Sequence, residues 1–189
     1  YATPLTTMAV GLAAAVTDDA ANADELMTKL GESATKVVSA LGMGMSSDLN
    51  IFSTPPLVTD STDTAGELKD VASYRAAVAG AASIIHAIQQ NNAGGGTSAD
   101  VLLSLAQDLG DGKIDGMDKD NKPLTVYDAS QAASIVETDP GSLFIPGTNY
   151  PVNQIQALLA AETKDTGSTS NTDNLTNGQI VTDVISAVI

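Results

Sequence analysis

Ala65-Gly-Glu-Leu-Lys-Asp-Val-Ala-Ser-Tyr-Arg-Ala-Ala-Val-Ala-Gly-Ala-Ala-Ser-Ile-Ile-His-Ala-Ile-Gln-Gln90 is the stretch on which the fold turns. No proline interrupts it, and Leu68, Val71, Tyr74, Val78, Ala81, Ile85 and Ile88 recur at helical spacing. That period predicts one long helix with a buried stripe. Asn91-Asn-Ala-Gly-Gly-Gly96 ends it as a flexible linker.

Upstream, Thr3 before Pro4 reads as an N-cap with proline at the first helical position. That helix should run to about Val16 and end near Thr17-Asp18-Asp19. A second helix starts near Asn22 or Asp24, turns Leu26, Leu30, Ala34, Val37, Val38 and Leu41 to one side, and stops at Gly42 and Gly44. Residues 45–64 carry Pro55-Pro56 and read as an ordered loop that tucks Ile51 and Phe52 onto the helices. Downstream of the long helix, Ser98 caps a further one with Val101, Leu102, Leu105 and Leu109 inward. Asp128 caps a short helix to about Val136, Asp139-Pro-Gly141 is a turn, and Leu143-Phe-Ile145 is a strand or a packed loop. Pro151 to Glu162 is helical with Val152, Ile155, Leu158 and Leu159 inward. The pattern predicts a mainly α protein, an irregular bundle of about six to seven helices. Residues 1–163 form the bundle, 164–178 a polar mobile segment, and Gln179 to Ile189 a last helix. Ile180, Val184, Ile185 and Val188 on that helix would dock on the bundle or on a partner.

Composition narrows the function. Aromatics make up only 3% and Trp is absent, so Ala, Leu, Val and Ile must build the core. A net charge of −15 argues against nucleic acid, which needs a basic stripe to neutralise phosphates, and against an anionic membrane surface. No cysteine means no disulfide, thiolate metal site or Cys nucleophile. No apolar run reaches about 18 residues without a polar interruption, so membrane insertion is not expected. The chain opens on Tyr1 without a signal-peptide pattern, as a processed chain or a piece of a longer one would.

Between two apolar runs lies Asp108-Leu-Gly-Asp-Gly-Lys-Ile-Asp-Gly-Met-Asp-Lys-Asp-Asn121, five aspartates and three glycines in fourteen residues. Crowded carboxylates repel unless water or a cation separates them, and Ca2+ takes oxygen ligands from flexible, glycine-punctuated loops. Asp108, Asp111, Asp115, Asp118 and Asp120 are the candidate ligands. The spacing fits half an EF-hand. With Gly112 at the sixth position, Asp115 and Asp118 fall on the ninth and twelfth, but Gln107 and Leu109 fail at the first and third. The competing reading is a solvated helix-to-hairpin connection whose glycines supply positive φ. Lys113-Ile-Asp115 would then pair with Lys122-Pro-Leu-Thr-Val-Tyr127, a short β-hairpin near 113–126.

Other candidates are weaker. His86 is alone, which rules out a zinc pair of histidines, and no Gly-x-Ser-x-Gly elbow accompanies it. Gly94-Gly-Gly96 lacks the Gly-Lys-Ser/Thr of a phosphate loop. Asp18-Asp19, Asp24-Glu25 and Glu67-Asp70 sit near helix starts, where the dipole favours acids. Met43 and Met45 read as core filler, and Asn174-Leu-Thr176 as a chance sequon.

Several segments in order resemble a helical module of large bacterial surface and exported proteins. These are Thr3-Pro-Leu-Thr-Thr-Met-Ala9, Ala40-Leu-Gly-Met43, Asp48-Leu-Asn-Ile-Phe-Ser-Thr-Pro55, Tyr74-Arg-Ala-Ala-Val-Ala-Gly80 and Asp108-Leu-Gly-Asp-Gly-Lys-Ile-Asp-Gly116. In such proteins a Thr-Pro-Leu-Thr-Thr run follows an immunoglobulin-like or carboxypeptidase-regulatory-like domain. The resemblance covers roughly residues 2–120, with a weaker echo at Phe144-Ile-Pro-Gly-Thr148. It implies an extracellular, bacterial cell-surface location and a non-catalytic structural or adhesion role, as a subunit of a surface assembly or filament; on the metal reading of the acidic loop, Ca2+ would stiffen that module. Its partners would be proteins or copies of itself. The rival is a module that binds a small ligand or peptide in a groove between helices.

Overall fold

The computed structural model describes residues 1–17, 22–59, 61–62, 64–92 and 95–166. The expected polar segment, C-terminal helix and sequon lie wholly or almost wholly outside the described residues, as do Asp18-Asp19 and Gly94. The described chain is mainly helical. Its helices are α1 (Pro4–Val16), α2 (Ala23–Leu41), α3 (Ala65–Asn91), α4 (Ser98–Asp108), α5 (Ala129–Val136) and α6 (Ile155–Thr166), with a 3-10 turn at Val152–Gln154 leading into α6.

Local chemistry sets where these helices begin. Thr3, Asn22, Thr64, Thr97 and Asp128 each accept a hydrogen bond from the backbone N–H three residues on, which satisfies a donor the helix cannot. At Thr3, Thr64 and Thr97 the residue three positions on reaches back to the cap N–H, closing a capping box. Thr97, not Ser98, is thus the cap of α4.

α3 is the axis of the bundle, touched by α1, α2, α4, α5 and α6. Its burial is wider than a stripe. Ala72, Ala76, Ala77, Ala79, Gly80, Ser83 and Ile84 are buried as well as Leu68, Val71, Tyr74, Ala81, Ile85 and Ile88, while Val78 is only half-buried. Small side chains let neighbouring backbones approach from several directions. Gly80 shows how close: a Cβ there would lie 2.3 Å from the sulfur of Met43. By length and composition α3 could cross a membrane, but two-thirds of its most apolar window is packed inside the bundle (67%). One apolar cluster joins α1, the C-terminal half of α2, α3, α4 and α5. A smaller one, Leu68, Ala72, Ala76, Ala79, Ile155 and Leu159, docks α6 on α3, where Arg75 and Glu162 also pair at 2.8 Å.

Three further expectations need correction. Leu26 is exposed, as are all of residues 23–28 at the start of α2. Phe52 is half-buried; Ile51 is the residue that enters the core. The hairpin near 113–126 does not form. That segment holds one isolated bridge, Met117 to Pro123, with Asp118 N–H donating to Lys122 O and Leu124 N–H to Gly116 O. Pro123 has no N–H to extend a ladder, and Asp115 and Gly116 give their N–H groups to the Asp108 carboxylate instead of to a partner strand. Phe144 and Pro151 form a second isolated bridge.

Candidate functional site

Asp108, the last residue of α4, is fully buried and is the only Asp, Glu, Lys, Arg or His among the buried residues described. Its Oδ1 accepts from the N–H of Asp115 and of Gly116, both at 3.0 Å, and Gly116 N–H also reaches Oδ2 at 3.2 Å. The Tyr127 hydroxyl donates to Oδ2 in a short bond. One carboxylate therefore ties the end of α4 to the middle of the loop and to the residue before the α5 cap. Burial pushes the Asp108 carboxyl above the usual range, opposed by the bonds from Tyr127, Asp115 and Gly116. Burial and the adjoining carboxylate push the Tyr127 phenol far above its ordinary value.

Three of the other four aspartates serve separate turns. Asp111 accepts from Lys113 N–H at 2.9 Å and Asp115 from Met117 N–H at 3.0 Å. Asp118 accepts from both Asp120 and Lys122 N–H at 2.9 Å. The Lys122 bond leads in holding its carboxyl below the usual range. Asp120 pairs with Lys119 at 3.0 Å. Side chains that bond the backbone two residues on are Asx turns, a way to fold a short loop without a ladder. Asp118, Lys119 and Asp120 line a cleft of about 210 Å3 against Leu12, Ala15 and Val16 of α1. The loop therefore does not gather its five aspartates around one point, and no group of three or more His, Cys, Asp or Glu among the described residues could hold a metal ion. Gly112 and Gly116 have φ of +94° and +80°, as the connection reading requires. Lys36 of α2 clamps the loop by donating to Gly110 O at 2.6 Å.

A second buried polar junction lies at the other end of α1. The Thr3 hydroxyl lies 3.2 Å from the Tyr74 hydroxyl, which donates to Ile51 O at 2.8 Å. Burial raises the Tyr74 phenol above its ordinary value. The sequence marks Tyr74 only as core and Tyr127 only as the end of the expected hairpin strand. A tyrosine in a chain so poor in aromatics was the available signal. His86 is exposed on α3.

Two other grooves are shallow. One of about 220 Å3 runs between α2 and residues 47–52, lined by Ala34, Val38, Leu49, Ile51 and Phe52 among others. Another of about 290 Å3 lies between residues 53–62 and the start of α3. Comparison with protein families, with curated proteins and with solved structures found no match to this chain.

Proposed function

We propose that this chain is a non-catalytic helical module of a bacterial cell-surface or exported assembly, a rigid body offered to protein partners or to further copies of itself. What supports the reading is the use to which the resembling segments are put. Thr3, Ile51 and Tyr74 come from three of them and meet in one buried junction. Met43 and Gly80 come from two and interlock. Asp108, Asp115 and Gly116, from the last, close the acidic loop. These residues of the resembling segments hold the module together, while Asp48 to Pro55 also line the two shallow grooves beside α2 and α3. The rival reading, a small-ligand or peptide groove, has grooves of about 210–290 Å3 to work with, below the roughly 300–1,000 Å3 usual for ligand sites.

The test is accessibility on intact producing cells. Antibody raised against the chain should label them without permeabilisation, and external protease should remove the signal. Labelling only after lysis would sink the proposal. Calcium is tested separately by thermal unfolding with the ion or a chelator, for the parent and for Asp111→Asn/Asp115→Asn. A ligand that binds only the folded chain stabilises it by about 2.7 kcal/mol at one hundred times Kd. A shift lost in the variant would make these two aspartates ligands. No shift at millimolar calcium would leave the loop held by its own Asx turns.

A further inference from the structure

α6 is held differently from the rest of the bundle. The cluster that docks it contains six buried residues, three of them alanines of α3, while the far larger main cluster draws on all five other helices. Leu68, Ala72, Ala76 and Ala79 form one stripe along α3. Ile155 and Leu159 of α6, both fully buried, lie on it, and Val58 and Ile145 are half-buried against the same cluster. The change from one cluster to the other is abrupt. Val152 belongs to the main cluster and donates its N–H to Leu143 O at 2.9 Å. Ile155, three residues on, belongs to the smaller one. Between them Asn153 and Gln154 are exposed in the 3-10 turn. The Arg75–Glu162 pair, at 2.8 Å, keeps both side chains partly in solvent, so salt weakens it.

We propose that α6 is a strap, hinged at Asn153 and Gln154, that leaves α3 while the main cluster stays closed. Ordering a helix costs conformational entropy at every residue, and here the burial of few large side chains must offset it. Regions with few buried apolar contacts open at a lower free energy than the core beside them. The strap gives the chain two folded states, which differ in one exposed stripe of small apolar residues on α3.

Ala76 and Ala77 are neighbours on α3 and both are buried, Ala76 in the smaller cluster and Ala77 in the main one. The chain has no cysteine, so Ala76→Cys and Ala77→Cys each report on one cover through reaction with an aromatic disulfide reagent. Where reclosing is fast, a buried thiol reacts in proportion to the population of the open form. Ala76→Cys should react about tenfold or more faster than Ala77→Cys, with a shallower dependence on urea, because less surface opens. Ile84→Val, in the main cluster, discriminates further. It destabilises the closed and the strap-open states alike, so it should speed Ala77→Cys about two- to tenfold and leave Ala76→Cys unchanged. Equal rates with equal urea slopes would overturn the proposal, as would Ile84→Val speeding both thiols alike. Amide exchange on the chain without new cysteines covers the case in which Ala76→Cys itself prises α6 away. The amides of Leu159 and Ala160 should exchange about tenfold or more faster than those of Ile84 and Ile85, and Ile84→Val should leave them unchanged. One common rate for all four amides would also overturn it.

Discussion

Tyr127→Phe removes one oxygen and leaves the ring, so it isolates the hydroxyl that donates to the buried Asp108 carboxylate. Hydrogen bonds to charged groups contribute about 1.5–3 kcal/mol. Asp108 would keep its two backbone donors at 3.0 Å, so the loss should lie within that range, near 2 kcal/mol. For a chain of this length that lowers Tm by roughly 4–8 °C. The loss must also depend on pH. The Asp108 carboxyl titrates higher in the folded chain than in the unfolded one. The stability tied to it is therefore fully present below the unfolded value, about 3.9, and falls away as pH rises through the folded value. The Tyr127 bond is the leading influence that holds the folded value down. Without it the folded value climbs further, and ionised Asp108 becomes costlier. Tyr127→Phe should thus be most destabilising at neutral pH and milder near pH 4. Urea unfolding followed by circular dichroism at both pH values measures this. A cost below about 0.5 kcal/mol at neutral pH, or one that grows toward acid, would refute the account of Asp108 as a buried carboxylate held by donors. In a double-mutant cycle with Asp108→Asn, the pair should cost clearly less than the sum.

Other substitutions probe separate joints. Gly112→Ala should cost about 1 kcal/mol from its φ of +94° alone, since nothing lies within 4 Å of the new Cβ. Gly116→Ala should cost about 2–4 kcal/mol, because its Cβ would also lie 2.6 Å from that of Ala129; equal costs in denaturant titrations would count against the packing argument. Tyr74→Phe leaves Ile51 O buried without its donor and should cost about 1–3 kcal/mol by the same titration. Gly80→Ala should destabilise by about 1–2 kcal/mol despite better helix propensity, and Met43→Ala should relieve the clash; a stabilised Gly80→Ala would show that the thioether swings clear at no cost.

The helices were legible because their signals are local. Thr3 before Pro4, Asn22 ahead of acids, and Asp128 before an apolar period each announce a start within a few residues. The all-round burial of α3 was not legible, since Ala and Gly suit core and surface alike and the period marks only its bulky residues. Leu26 follows the periodic pattern but lies in the stretch 23–28 of α2 that is exposed throughout. The Asp108 lock escaped because its donors lie seven, eight and nineteen residues on. An aspartate that holds a loop together and one that waits for a cation look the same in sequence. Only the position of the N–H groups distinguishes them.

The Thr3–Tyr74–Ile51 junction also has a mechanical consequence. Tyr74 lies near the middle of the longest helix, and Thr3 lies two residues from Tyr1. Tension applied at Tyr1 would reach the axis of the bundle almost at once, through the Thr3 cap and the Tyr74 hydroxyl, instead of peeling α1 away turn by turn. Rupture at this end would require a buried hydroxyl pair and the first turn of α1 to fail together, which favours a single abrupt yield over gradual unravelling.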